Sequence, residues 1–424
     1  MKKLSQKQKL IGFIAILIVA VILAIVITKS IIKNNNQVAN ESYAAITANA
    51  SSNLIANYIL NGITIGGITG KMDILDTNDA TALPDDIAWG ETAYVKGEKI
   101  IGTKIITIAH AKAAQKTFEE NTALIDDYGN RVKIPTGFKI AEDSATAVTE
   151  GVVIEDVSAG DNNTKGSQFV WIPVGNIITD NNGTTTNINF GRYNFNSSGK
   201  ETLVQLASDY SKVTQLKTVT TDNYYFQEQL NTASVNSAKA KDIGNFVKKA
   251  ISSNGYYIGR YELGDATGVK RDKDTNDADP VTCRKGVYPY NFITQPQASS
   301  LCQNMYKSAN FDSDLMNSFA WDTAIVYIQT FTDDKDYSIQ TRLQNTIAKC
   351  GEASDGTNKD LRCNIFDMAG NTSENITEWC SQSGNPVTIR GGCFKNDGSY
   401  PSVRAYGLIT SQMDYRSARP ILYL

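Results

Sequence analysis

The sequence predicts an α+β domain with much irregular loop, and three observations carry that expectation. Short β-branched and aromatic runs at 168–174 and 255–262 read as strands. Residues 238–251 and 321–328 repeat apolar positions at helical spacing: Ile243, Phe246, Val247 and Ile251 in one, Trp321, Ala324, Ile325 and Ile328 in the other. Long polar stretches separate these segments, as in a compact domain with extended connections.

Composition narrows the classes of function. The chain has 424 residues, with a charge balance of 41 − 44 = −3 and 41% hydrophobic residues. That length suits two or three folded units, and the hydrophobic share suits globular folding. The near-neutral balance argues against nucleic acid as a partner. His110 is the only histidine. Sites needing two or three imidazoles are therefore excluded, and only one Ser-His or Cys-His pair is available. His110 has no partner in the pattern around it and reads as a surface or interdomain residue.

From the N-terminus, residues 10–27 form an uncharged apolar run of eighteen residues, with Lys2, Lys3, Lys7 and Lys9 before it and Lys29 and Lys33 after it. As a helix this run would span about 27 Å, close to a bilayer core. The lysines put the N-terminus in the cytoplasm. The expectation is a single-pass cell-membrane anchor over 1–30, with the rest extracytoplasmic. A signal peptide would have a shorter apolar region, and Ala48-Asn49-Ala50 lies far downstream for cleavage. A pilin-type segment would carry a glutamate where Leu17 stands.

Residues 31–58 are rich in Asn and Ala and read as a stalk. Over 59–149 two loose copies of I-x-x-G-x-T, at Ile59–Thr64 and Ile87–Thr92, point to small β-hairpin spacer modules. A short helix is expected near 109–120, and a strand over 131–140 broken at Pro135. The dominant domain is expected over 150–424. Within it, 176–235 is polar and reads as a long insertion. Thr294 and Gln297 form a capping-box pattern for a helix reaching about Tyr306. A strand closes the chain at 419–424.

The six cysteines, Cys283, Cys302, Cys350, Cys363, Cys380 and Cys393, all lie in the last third. An even count outside the membrane reads as a disulfide framework. Cys350/Cys363 and Cys380/Cys393 each enclose twelve residues, so local pairing is one option among several. A metal site would need a C-x-x-C or a nearby histidine, and neither occurs.

Four segments in order carry a resemblance: Phe366-Asp367-Met368-Ala369-Gly370-Asn371, Glu378-Trp379, Arg390-Gly391-Gly392 and Arg419. Together they resemble the formylglycine-generating enzyme (sulfatase-modifying factor) family. Residues 169–175 and 257–262 look like its opening strands, and 294–305 and 318–328 like its two helices. The resemblance covers about 150–424. It implies a C-type-lectin-like fold, shared with the variable receptor proteins of diversity-generating retroelements.

The catalytic part of the pattern is broken. Members that oxidise substrate bind copper through two cysteines just past R-G-G, soft ligands for a soft ion. Here Cys393 comes too early, Asn396 stands at the expected position, and no cysteine follows Cys393. Iron-dependent relatives need three histidines. The resemblance therefore implies a non-catalytic member without copper or iron. It also implies calcium, held in the family by the N-x-x-G-N-x-x-E segment. The matching residues are Asp367, Gly370 and either Glu374 or Glu378, hard oxygen donors suited to Ca²⁺.

Ligand-facing residues of such receptors lie between R-G-G and the closing strand, here Lys395–Ser417. Asn396, Asp397, Ser399, Tyr400, Tyr406, Tyr415 and Arg416 have the rigid aromatic and adaptable polar character of binding loops. The functional expectation is a membrane-anchored, extracytoplasmic, adhesin- or receptor-like protein that binds a protein or glycan. The alternatives are a divergent oxidase of the same class and a structural envelope or pilus-like component.

Overall fold

The computed structural model describes Ile18, Ala20, Val21 and residues 61–424, apart from 66, 72–76, 88–91, 103, 105, 218–223, 230–236, 273–279, 309, 342–345, 353–359 and 396–398. The chain divides into two compact units, Met1–Lys104 and Ile105–Leu424.

The smaller unit holds two antiparallel hairpins, Thr64–Ile65 with Ile68–Thr69 and Thr92–Val95 with Glu98–Ile101. The second turns through Lys96 and Gly97, both at positive φ, the backbone that two-residue hairpin turns require. Thr77 braces it, its carbonyl accepting from Lys96 N at 2.9 Å and its Oγ1 from Gly97 N at 2.7 Å.

In the larger unit eleven strands form two sheets: β1 (Phe138–Ile140), β2 (Val153–Asp156), β3 (Gln168–Pro173), β4 (Phe226–Gln227), β5 (Gly255–Gly259), β6 (Asp312–Leu315), β7 (Ser373–Cys380), β8 (Val387–Arg390), β9 (Ala405–Gly407), β10 (Arg416–Ala418) and β11 (Pro420–Tyr423). One sheet runs β6-β11-β5-β3-β2-β1, antiparallel throughout. The other runs β4-β7-β8-β9, with β10 added parallel to β7. The chain end thus lies inside the first sheet, because β11 is hydrogen-bonded on both sides.

The helices are α1 (Ile108–Ala114), α2 (Ile243–Ser252), α3 (Gln295–Asn304) and α4 (Ser318–Phe331). Asp242 caps α2 by accepting from Asn245 N at 2.9 Å. At α3 the Thr294–Gln297 capping box forms, with Thr294 N donating to Gln297 Oε1 at 2.8 Å. Helix α4 is buried from Ser318 through Gln329. Its Phe319, Trp321, Ile325 and Ile328 share one core with Phe246 and Val247 of α2 and with Val170, Ile172, Ile258 and Ile421 of the first sheet.

Several expectations need correction. The fold is β-rich rather than α+β, because the described residues hold four α-helices, of 7, 10, 10 and 14 residues, against many strands. Much of the supposed insertion at 176–235 is hairpin: Gly175–Ile178 pairs with Thr185–Ile188, and Gly191–Phe195 with Glu201–Leu206. Polar turn chemistry builds these hairpins. Asp180 Oδ1 accepts from Asn182 N and Thr184 N, and Asn196 Oδ1 accepts from Ser198 N and Lys200 N.

The membrane anchor, and the single-pass localisation drawn from it, are also withdrawn. Among the described residues no helix is long and apolar enough to cross a membrane. The 10–27 run itself lies outside the described residues except for Ile18, Ala20 and Val21, and the 31–58 stalk lies wholly outside. The disulfide framework is not formed. Cys283, Cys302, Cys350, Cys363 and Cys380 are free thiols, and the sulfurs of Cys283, Cys350 and Cys363 lie against the carbonyls of Tyr261, Glu262 and Thr149.

Candidate functional site

Strand β7 presents the two glutamates between which the sequence did not choose, and the structure separates them. A bulge between Asn375 and Trp379 shifts the register against β8. Glu374 meets Arg419, whose Nη2 and Nε donate to its Oε1 at 2.6 and 3.0 Å. Glu378 belongs to a different network, with Arg192 Nη2 at 2.5 Å and Arg404 Nε at 3.0 Å.

The first cluster is rich in buried acid. Glu262 accepts from Asn371 Nδ2 at 2.8 Å, and Asp367 sits beside it at a positive φ of 63°. Burial raises the carboxyls of Glu262 and Asp367 above the usual range, and for Asp367 the neighbouring Glu262 and Asp360 add to the shift. Burial pushes Glu374 up to about 7 against the pull of Arg419. The calcium expectation meets this geometry only in part. Asp367 and Glu374 border the Arg419 cluster, and Gly370 is buried in the turn before β7. Glu378 is committed elsewhere. Among the described residues no three acidic, Cys or His side chains gather to hold a metal ion, so no chemistry is routed through one.

The second network is a structural core of charge. Arg390 donates to Asp322 at 2.7 Å, Arg404 bridges Asp322 and Glu378, and Arg192 also reaches Gln205 Oε1 at 3.0 Å. Burial opposes the Asp322 charge, yet Arg404 and Arg390 hold its carboxyl below the usual range. The R-G-G segment owes its glycines to packing. A Cβ on Gly392 would lie 2.1 Å from the Ala369 carbonyl oxygen, and Gly391 has φ +81°.

The Lys395–Ser417 segment holds the expected contact residues. Asn396 and Asp397 lie outside the described residues. Ser399, Tyr400, Tyr406 and Tyr415 are half-buried, and Arg416 is buried. The segment is tied to the core where Trp321 Nε1 donates to the Pro401 carbonyl at 2.8 Å. Tyr406 packs edge-on against Tyr224. Lys395 pairs with Asp414 and lies over the Tyr415 ring at 5.8 Å.

Beside this segment opens a cavity of about 260 Å³, lined in part by Lys270, Asn291, Phe292, Ile347, Phe394 and Asp414. Asn291 is 1% exposed; its Nδ2 donates to the Asp414 carbonyl at 2.7 Å, and its Oδ1 is buried without a partner. Phe292 has φ +53°, a strained backbone for a bulky residue that recurs at ligand sites. Its N–H donates to the Met413 carbonyl at 3.0 Å, which holds the two segments together. Val269 and Met413, next in sequence to wall residues, are exposed. The sequence reading missed Lys270, Asn291, Phe292 and Ile347, since only folding brings 270–292 and 347 to the 394–414 wall. No composition signal marks them.

The buried thiols are poorly suited to nucleophilic work. Burial pushes Cys283 and Cys363 up to about 12, far from the thiolate such chemistry needs. Comparison with known proteins finds no matching family, no similar curated protein and no similar solved structure.

Proposed function

We propose that this chain is a non-catalytic binding protein, a ligand receptor built on a scaffold resembling the formylglycine-generating class. A protein segment or a glycan is its ligand, and the contact surface is Lys395–Ser417 with the adjoining cavity. The observation that carries this reading is the cavity wall. An unpartnered buried acceptor (Asn291 Oδ1) and a strained aromatic (Phe292) line it, and the half-buried Tyr415 follows the wall residue Asp414 in sequence. A buried acceptor without a donor is costly, and a ligand N–H or O–H would satisfy it. Half-buried tyrosines supply contact area at low entropy cost.

The test is array binding. The full chain, screened on glycan and peptide arrays, gives a specific signal, and Tyr400→Ala/Tyr415→Ala removes it while the melting midpoint stays close to that of the parent. A signal untouched by the double substitution moves the site elsewhere. Aldehyde formation on a cysteine-containing sulfatase peptide supplied with copper would overturn the non-catalytic reading.

A further inference from the structure

We propose that a cleft beside β3 is a second ligand site, one that takes a small ring-bearing carboxylate, whether an aromatic acid or a sugar acid. It shares no residue with the Lys395–Ser417 segment or the cavity beside it, and does not depend on the function proposed for them. The cleft has a volume of about 180 Å³. An apolar cavity of about 150 Å³ already admits one benzene ring. Its walls come from two stretches described without a break, 106–217 and 237–272. Hydrogen bonds tie the wall segments together. Asn130 ends the turn between the paired strands Thr122–Ile125 and Arg131–Ile134. Its Nδ2 donates to the Ile178 carbonyl and its Oδ1 accepts from Ile178 N, both at 2.8 Å. Val174 N donates to the Asn254 carbonyl at 3.0 Å. The cleft is therefore formed before any ligand arrives.

The chemistry of the wall is one-sided. Val148, Trp171, Pro173 and Ile177 are buried and supply its apolar part. The Trp171 ring is fixed edge-on against Tyr257 of β5, with centroids 4.9 Å apart. The polar part is rich in unused donors. Arg131 is exposed, and among the described residues its guanidinium makes no ion pair or hydrogen bond. The side-chain amide of Asn254 is likewise exposed and unbonded. Asn176 Oδ1 accepts from Asn187 Nδ2 at 2.8 Å, which leaves its own Nδ2 unbonded. Trp171 Nε1, a donor only, is buried without an acceptor. No lining residue carries a carboxylate. One cation, several free donors and no anion select a ligand that brings oxygen acceptors and negative charge, and the planar guanidinium matches a carboxylate. The apolar part of the wall selects a ring over a bare oxyanion.

The experiment uses the full chain labelled with ¹⁵N-tryptophan. Two acids, benzoate and glucuronate, are titrated against their neutral counterparts, benzamide and glucose, at fixed ionic strength. The chain has four tryptophans, and Trp171→Phe assigns the indole N–H resonance of the cleft. The expected result is a saturable movement of that resonance with at least one acid, while its neutral counterpart needs about tenfold more for half-saturation. R131Q changes an exposed side chain and leaves the melting midpoint where it was. It raises half-saturation by the acid about tenfold and leaves that of the neutral counterpart unchanged. Tighter binding of benzoate identifies an aromatic acid as the ligand class, and tighter binding of glucuronate a sugar acid. Calorimetric titration of the parent against R131Q makes the same comparison if Trp171→Phe does not fold. No saturable movement with either acid, acids and neutral counterparts bound alike, or R131Q titrating like the parent overturns the inference. Each of these results leaves the Lys395–Ser417 surface to its own array test.

Discussion

Asp314 is a carboxylic acid held by hydrogen bonds alone. Lys241 N donates to it at 2.6 Å, Leu315 N at 2.7 Å and Gln303 Nε2 at 3.0 Å, and no ion pair reaches it among the described residues. Burial pushes its carboxyl up to about 7. The folded state thus binds a proton that the unfolded state releases near the ordinary carboxylate value. Stability contributed by this group is full below about pH 4 and is lost as pH rises to about 7, at up to ~1.4 kcal/mol per pH unit. Urea unfolding across that range should show the slope, and Asp314→Asn should flatten it; an unchanged slope in the variant removes Asp314 as its source. Glu378 makes a different prediction. Glu378→Gln leaves Arg192, Arg390 and Arg404 with only Asp322 as a buried counter-charge, a loss of about 3–5 kcal/mol by urea unfolding. A loss below about 1 kcal/mol would mean that water or another group takes over. Asp322 and Glu378 also show how little of such a network is legible beforehand. Glu378 was one of two equivalent candidates in a repeated N-x-x-E pattern, and only the bulge in β7 decides which arginine each glutamate meets.

Helix α3 was legible down to its cap, because a capping box is local chemistry spanning four residues. Thr294→Ala should cost about 1 kcal/mol, read as a shift in urea midpoint at constant slope. No change would mean the Gln297 side chain alone holds the helix start. Helices α2 and α4 were legible from their apolar spacing, although α4 is buried almost all round and its stripe understates its burial. The hairpins at 175–188 and 191–206 were not legible. Their strands carry Asn and Thr where an alternating apolar pattern would announce them. Asp180 and Asn196, which shape the turns, look the same in a loop.

At the scale of the whole molecule, the free thiols predict that the melting midpoint is the same with and without reductant. A fall of several degrees on reduction would reinstate a disulfide framework. The cysteine count alone suggested bridges, since an even number within one domain is consistent with pairing. Pairing needs side chains to meet, and the sulfurs of Cys283, Cys350 and Cys363 face backbone carbonyls instead. The sequence by itself determined the main strands at 168–173 and 420–423, the three longer helices and the single histidine. Each is set by local spacing or by composition. Tertiary structure alone decided the β-rich balance, the division of the acidic residues between two arginine networks, and the cavity joining 270–292 to 394–414. These depend on contacts between residues tens to hundreds of positions apart, which no local pattern encodes.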